Sequence, residues 1–314
     1  GVQTCALPIS QEGIEALAFD LAVSGGTQTM DKLKFNDEAE KIGARFNSAT
    51  GLDYGNMSMT CIKPFWNESW NLFTDALLKP AFDQKEFDLE KEKMISDAKS
   101  AEGEPDTYLD HLTMSTAFEG RNYAKVTAGS ESSLSKLTLD DVKKYYANTV
   151  GLKRGFLVVV GNVDEADLKS KIQNSLLKMN VGTPAPKEAP MTIAKTSITI
   201  EDRDIATNYI QGLMMAPMYG TAEGIPMQLA MNILYDRYFV ELRTKRSLSY
   251  APAAFYMSNA ISNPYAAVYI TTTKPKDALK TMIWIVDSAR ENGFTEKELR
   301  DKKQTFLTSN YMKL

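Results

Sequence analysis

The chain has 314 residues, which is enough for two domains that each bury their own core. It is 43% hydrophobic and 24% charged, and its 36 basic and 40 acidic residues give a net charge of -4 without long blocks of one sign. This balance disfavours nucleic acid and anionic membranes as partners, and no apolar run approaches the ~20 residues of a membrane span. Cys5 and Cys61 are too few for a disulfide framework.

The first ten residues, GVQTCALPIS, have neither the basic start nor the apolar centre of a secretory signal. They are typical of the conceptual translation of a sequencing-library adapter. We therefore leave residues 1–10 out of the fold prediction, and we expect Cys5 to be an artefact and the natural amino terminus to be missing.

Hydrophobic periodicity predicts alternating helices and strands over residues 11–180. In the opening helix, Ile14, Leu17, Ala18, Leu21 and Ala22 share one face. Further helices are expected at 31–42, 66–78, 83–101, 105–117, 140–146 and 165–177, and strands at 44–50, 54–62 and 155–160. His111, the single histidine, falls on the helix at 105–117, where we expect it to be a surface or hydrogen-bonded residue without a catalytic role.

A proline-rich stretch at 181–194, with Pro184, Pro186 and Pro190, is predicted to be a linker to a second domain at 195–314. Strands are expected in this domain near 197–200 and at 209–215, 250–257 and 265–272. Its helices are expected at 225–243, 276–292 and 295–313.

An internal repeat links the two halves. The run FDQKEFDLEK from Phe82 matches FTEKELRDKK from Phe294 at an offset of 212, with Asp75 opposite Asp287. Charged helix starts can resemble each other by chance, but the shared order of elements favours one fold used twice. At this offset the second domain stops before the equivalent of the strand at 155–160, and the strands at 197–215 would have counterparts before residue 1. We therefore expect the chain to be truncated at both ends.

Several segments, in this order and spacing, together resemble the insulinase/pitrilysin family of zinc metallopeptidases. They are Gly13-Ile14 with Gly26-Thr27, GARFNSAT from Gly43, LLKPAF from Leu77, VVVGN from Val158 and ELRTKRSLSY from Glu241. The resemblance implies an α+β fold of two related domains, at 11–180 and 195–314, each an antiparallel sheet covered by helices. In that family two such halves close around an extended peptide.

The metal-binding motif of that family is degenerate here. Leu17, Asp20 and Leu21 stand at the positions of His-x-x-Glu-His, and Asp97 stands near the position of the third ligand. Zinc needs N, S or O donors, and a leucine side chain has none. A residual cation site on Asp20 and Asp97 is one interpretation; an ordinary helix with two buried leucines is the simpler one, and we adopt it. No metal site is therefore predicted in this chain.

The resemblance assigns substrate contacts to Arg243 and Tyr250, because members of the family place an Arg and a Tyr there. A guanidinium offers a planar set of donors to a carbonyl or carboxylate, and a phenol can donate to an oxyanion. The structural alternative is an arginine at a helix carboxyl end followed by a tyrosine on a strand.

The resemblance also assigns Asn47 and Ser48 to an edge strand that pairs with the bound peptide. Strand addition gives affinity through main-chain hydrogen bonds and little sequence preference. An asparagine in a β-run is otherwise typical of a turn or a sheet edge.

By resemblance, the chain is a non-catalytic half or subunit that binds extended peptide and supplies Arg243 and Tyr250 to a zinc-bearing partner half, as in a heterodimer. Zinc is expected in the partner only. A structural or scaffold module of the same fold is the alternative, and an enzyme that uses Asp20 and Asp97 with another metal is a third interpretation. The sequence does not establish the compartment; bacterial relatives of this type imply the periplasm.

Overall fold

The computed structural model describes residues 2–3, 11–185, 189, 191–193 and 196–312. The helices are α1 Ile14–Ser24, α2 Lys32–Lys41, α3 Trp66–Leu78, α4 Gln84–Gly103, α5 Pro105–Ala117, α6 Glu131–Leu134, α7 Leu139–Thr149, α8 Glu165–Asn174, α9 Gly224–Tyr238, α10 Pro275–Asn292 and α11 Glu296–Tyr311. The strands are β1 Val2–Gln3, β2 Arg45–Thr50, β3 Tyr54–Thr60, β4 Asn208–Met215, β5 Ala253–Tyr256 and β6 Tyr265–Thr272. Within the described residues, no helix combines the length and apolar character needed to cross a membrane.

The chain forms two compact units. One comprises the described residues of Gly1–Gly103 and Gly120–Glu188, and the other those of Glu104–Glu119 and Ala189–Leu314. Consequently α5 belongs to the second unit, although α4 and α6 on either side of it in sequence belong to the first. Part of the predicted linker, including Pro186, Pro190 and Ala194, lies outside the described residues.

The first unit is built on an antiparallel sheet with strand order β1-β3-β2. The β2–β3 register runs from Arg45 opposite Thr60 to Thr50 opposite Gly55, and helix α1 packs on β2. Helix α1 begins after Gly13, whose φ of 84° is disfavoured for other residues. A Cβ added there would also lie 2.6 Å from the side chain of Leu134, so both backbone conformation and packing require glycine.

The second unit is built on an antiparallel sheet with strand order β4-β6-β5. The β4–β6 register runs from Asn208 opposite Thr272 to Met215 opposite Tyr265. The central strand β6 contributes the buried residues Ala266, Val268 and Ile270, on which α9 and α10 add apolar side chains.

The predicted repeat is confirmed by the order of elements. Helix α1, strands β2 and β3, and helices α3 and α4 in the first unit correspond to α9, β5, β6, α10 and α11 in the second. The helices α4 and α11 begin at Gln84 and Glu296, which differ by the same 212 positions found in the sequence. The α+β fold with two related, helix-covered antiparallel sheets is thus confirmed. Val2–Gln3, which the prediction left out, forms β1 at the position that β4 takes in the second sheet.

Two predicted strands are wrong. Residues 156–160 and 197–200 are not part of any strand in the structure. Their apolar side chains are largely exposed, with Val158 at 68%, Val160 at 92% and Ile200 at 82%. A strand is defined by its hydrogen-bonded neighbour, and an apolar, β-branched run does not reveal whether the folded chain supplies one. The strand predicted at 250–257 is confined to β5, so Tyr250 lies outside it.

Candidate functional site

The metal-motif positions lie in the core of the first unit. Leu17 is fully buried and Leu21 is 2% exposed, within the same apolar cluster as Phe87, Met94 and Val142. These side chains come from α4 and α7, which pack on α1. The positions where the family places two imidazoles are therefore filled by hydrocarbon with no donor atom, and the residues present do not fit zinc.

Asp20, at the position of the motif's glutamate, is held by a different network. The Ser48 hydroxyl donates to Oδ1 of Asp20 and so joins β2 to α1. Burial raises the pKa of the Asp20 carboxyl; the Ser48 hydrogen bond opposes the shift, and the negative charge of Glu90 adds to it. These effects make Asp20 a structural hydrogen-bond acceptor on the buried helix.

Lys93 of α4 is close enough to Asp20 for the charges of the two groups to interact. The Lys93 ammonium lies 2.7 Å from Oε1 of Glu90, a contact that raises the pKa of Lys93, with smaller contributions from the charges of Asp20 and Asp97. The described residues contain no cluster of three or more His, Cys, Asp or Glu side chains arranged to hold a metal, so Asp20 and Asp97 belong to no such cluster there.

Strand β2 is an edge of its sheet, because β3 is its only partner among the described strands. Asn47 is exposed and Ser48 is half-buried, in line with the alternation of side chains along a strand. On the side of the sheet facing the helices, Phe46 packs against Phe35 of α2 and Phe73 of α3, at ring-centroid distances of 5.4 and 6.1 Å. This packing holds the strand in place, while its other backbone edge has no strand partner among the described residues.

In the second unit, Arg243 and Tyr250 lie together. The Arg243 guanidinium carbon is 4.3 Å from the centroid of the Tyr250 ring and 5.0 Å from that of Phe239. Arg243 makes no hydrogen bond or ion pair within the described part of the chain. Because a cation–π contact does not use the N–H groups of the guanidinium as hydrogen-bond donors to another residue, these groups stay available to an acceptor.

The backbone around this stack is irregular. A π-helix, Phe239–Lys245, continues α9 and carries Phe239 and Arg243. The following turn places Ser247 at a φ of 48° and folds back so that the amides of Leu248 and Ser249 both donate to the Leu242 carbonyl. The buried Ser249 hydroxyl has no partner among the described residues. Such irregularities are concentrated at functional sites.

Arg243 and Tyr250 were predicted from the sequence, whereas Phe239 was not. The four-residue spacing of Phe239 and Arg243 could have revealed their contact, because side chains at i and i+4 are neighbours on a helix. The hydrogen bond between Ser48 and Asp20 could not be predicted from sequence spacing, because 28 residues separate the two.

A duplicated α+β architecture whose metal helix is packed with leucines defines a class: the non-catalytic modules of zinc metallopeptidases. The chain belongs to the insulinase family of peptidases, M16. A model described as insulinase (peptidase family M16) matches residues 12–131, and one described as peptidase M16 inactive domain matches residues 136–306. The chain is thus a non-catalytic M16-like module.

Similar proteins carry mixed descriptions. An uncharacterized zinc protease of Rickettsia felis is 21% identical over 308 residues, covering 96% of this chain and 74% of that protein. The non-peptidase homolog YmxG of Helicobacter pylori is 21% identical over 309 residues, covering 96% and 71%. Both relatives match nearly the whole length of this chain.

Solved structures share the fold. The peptidase M16 inactive domain from Pseudomonas fluorescens superposes with a TM-score of 0.80 at 18% identity, covering 98% of this chain and 77% of that one. The first half of the periplasmic protease PqqL from Escherichia coli gives a TM-score of 0.70 at 16% identity, covering 98% and 70%.

Proposed function

We propose that this module binds an extended peptide along the free edge of β2 and supplies Arg243 and Tyr250 to a zinc-bearing partner half that performs the hydrolysis. The observation that carries the proposal is the combination, in one unit, of a strand edge that no other described strand pairs with and a helix whose metal-motif positions lack donors. A chain of this kind can hold a peptide backbone but cannot itself activate water on zinc.

The Arg243 stack supports the second part of the proposal. A guanidinium that contacts two aromatic rings loses less conformational freedom when it donates to a peptide carbonyl or carboxylate, and Tyr250, at 78% exposure, can donate beside it. The catalytic zinc and its water would come from the partner, and this chain would orient the substrate.

The first test uses the purified chain alone. We expect no stoichiometric zinc by elemental analysis, no cleavage of a fluorogenic peptide, and measurable binding of an unstructured labelled peptide by fluorescence anisotropy. One zinc per chain together with chelator-sensitive cleavage would reject the proposal. Failure to bind any peptide would instead favour the scaffold module.

The second test examines Arg243 in the assembled pair. Arg243→Ala should lower peptide turnover by about 10²-fold, because it removes a donor to developing negative charge, without changing the unfolding midpoint. Arg290→Ala is the matched control, since Arg290 is 78% exposed on α10 and pairs only loosely with Asp287 at 3.7 Å. Equal turnover of the two variants would contradict the role of Arg243.

A further inference from the structure

Helix α10 has apolar side chains on two opposite faces. Its inner face adds Ala278, Met282 and Ile285 to the buried apolar cluster of the second unit. On its outer face, the apolar pair Ile283 and Trp284 remains 49% and 51% exposed. A cavity of about 380 Å³ lies beside this pair and is lined by residues of α10 alone. Half of the surface of both side chains is therefore available to a partner.

The charged residues on the same outer face are ordered by sign. Lys276 and Lys280 precede the apolar pair, and Asp287 and Glu291 follow it. At 3.6 residues per turn, these four side chains and the apolar pair fall within an arc of about 100°. Within the described part of the chain, the two lysines and Glu291 make no ion pair, and Asp287 has only a 3.7 Å contact with Arg290. This order is the reverse of what the helix dipole favours, so it does not stabilise α10 itself.

The outer face of α10 is complementary to a second copy of itself. Lys280 and Asp287 are equally distant in sequence from the midpoint of the apolar pair, and so are Lys276 and Glu291. A two-fold axis through this midpoint therefore places each lysine opposite a carboxylate of the other copy, and each contact occurs twice. The two apolar pairs meet at the axis. A parallel arrangement of the two helices would instead place like charges opposite each other.

We propose that the chain forms a homodimer in which α10 packs antiparallel against α10 of a second copy. The apolar pair at the centre, with its tryptophan, supplies most of the affinity, and the charged residues set the orientation. One helix from each copy makes an interface at the small end of the usual size range, so we expect a Kd of about 10 µM. The contact uses no residue of β2 and neither Arg243 nor Tyr250, so it is separate from the proposed function.

Sedimentation velocity of the purified chain, over protein concentrations on both sides of this Kd, measures the dimer. Trp284→Ala should raise the Kd at least about tenfold, because it removes the largest side chain at the axis. Its unfolding midpoint should stay unchanged, because half of the Trp284 side chain is already exposed. A natural chain that stays monomeric up to about 100 µM would overturn the proposal.

Two charge reversals test the antiparallel pairing. Lys280→Glu and Asp287→Lys should each raise the Kd at least about tenfold, because each places like charges together at both symmetric contacts. An equimolar mixture of the two variants should recover the natural Kd, since opposite charges then face each other at both contacts. The same recovery is expected when one chain carries both reversals. Lys143→Glu, at an exposed lysine of α7, is the matched control and should leave the dimer unchanged.

Three results would contradict the antiparallel pairing. The first is a natural Kd in both single variants, which would place the dimer contact on another surface. The second is a mixture of folded single variants that stays monomeric. The third, which applies if a single variant fails to fold, is a folded double variant that does not dimerise.

Discussion

At the scale of single residues, the most informative position is Asp20. It keeps the carboxylate that the family motif places there, but the surrounding groups give it a different role. Leucines replace both imidazoles, and Ser48 of β2 donates a hydrogen bond to the carboxylate. Its pKa is raised mainly by burial, so the ionised form is less favourable in the folded protein than in the unfolded chain.

This shift predicts a pH dependence of stability. Over an interval above the ordinary pKa of 3.8, the folded protein retains a proton on Asp20 that the unfolded chain has lost. The contribution of Asp20 to the free energy of unfolding therefore falls as pH rises through that interval. Asp20→Asn removes the titration, so its stability relative to the natural chain should increase with pH across the interval and then level off.

Urea unfolding at a series of acidic to neutral pH values measures the effect. Ser48→Ala is the companion variant: the Ser48 hydrogen bond lowers the pKa of Asp20, so its loss should extend the interval to higher pH. If the free energies of unfolding of Asp20→Asn and of the natural chain differed by the same amount at all pH values, the protonation of Asp20 would not be linked to folding.

At the scale of elements, α1 is the central helix of the first unit. Periodicity predicted one apolar face, whereas eight of its eleven residues are buried, including Phe19 and Glu15 on other faces. The reason is its position: β2 lies on one side, and α4 and α7 lie on others. A helix enclosed in this way contributes mainly to the core and has little surface for a ligand.

We therefore expect Leu17→Ala to lower the free energy of unfolding by about 2–5 kcal/mol, because it removes a fully buried side chain and leaves a cavity. Leu33→Ala on α2 is the matched control: Leu33 is 78% exposed, and its loss should change stability by less than about 0.5 kcal/mol. Denaturant unfolding of both variants measures the difference. If both variants lowered the free energy of unfolding by similarly small amounts, α1 would not be part of a packed core.

At the scale of the whole molecule, the structural units do not follow the order of the chain. Helix α5 packs on β4 of the second unit. Asp106 accepts a hydrogen bond from the Tyr269 hydroxyl, and Asp110 accepts one from Gln211 at 3.2 Å. Phe118, just after the helix, packs edge to face against Tyr265 at 5.9 Å. These contacts tie α5 to the sheet β4-β6-β5.

The expected consequence concerns local unfolding. Backbone amides of α5 should exchange with solvent together with those of β4 and β6, and independently of those of α4, because a cooperative unit shares its opening reaction. Hydrogen exchange followed by mass spectrometry measures this. Tyr269→Phe should accelerate exchange in α5 more than in α4; equal acceleration in both helices would contradict the assignment of α5 to the second unit.

The sequence by itself determined the elements whose signals are local. The helices α3 and α5 and the strand β6 have the predicted bounds, because their periodicity and flanking residues lie within the elements themselves. The repeat at 212 residues and the absence of donors at Leu17 and Leu21 could also be read directly, since both are properties of residue type and spacing.

Only the tertiary structure determined which apolar runs pair with a neighbouring strand, to which unit α5 belongs, and which side chains surround the candidate residues. Residues 156–160 have the composition of a strand but no ladder, while Val2–Gln3, in a run that looked unrelated to the fold, pair with β3. The stack of Phe239, Arg243 and Tyr250 depends on a turn at Ser247 that composition does not predict. Strand pairing and side-chain stacking are contacts between segments distant in sequence, and their free energy depends on the whole folded chain.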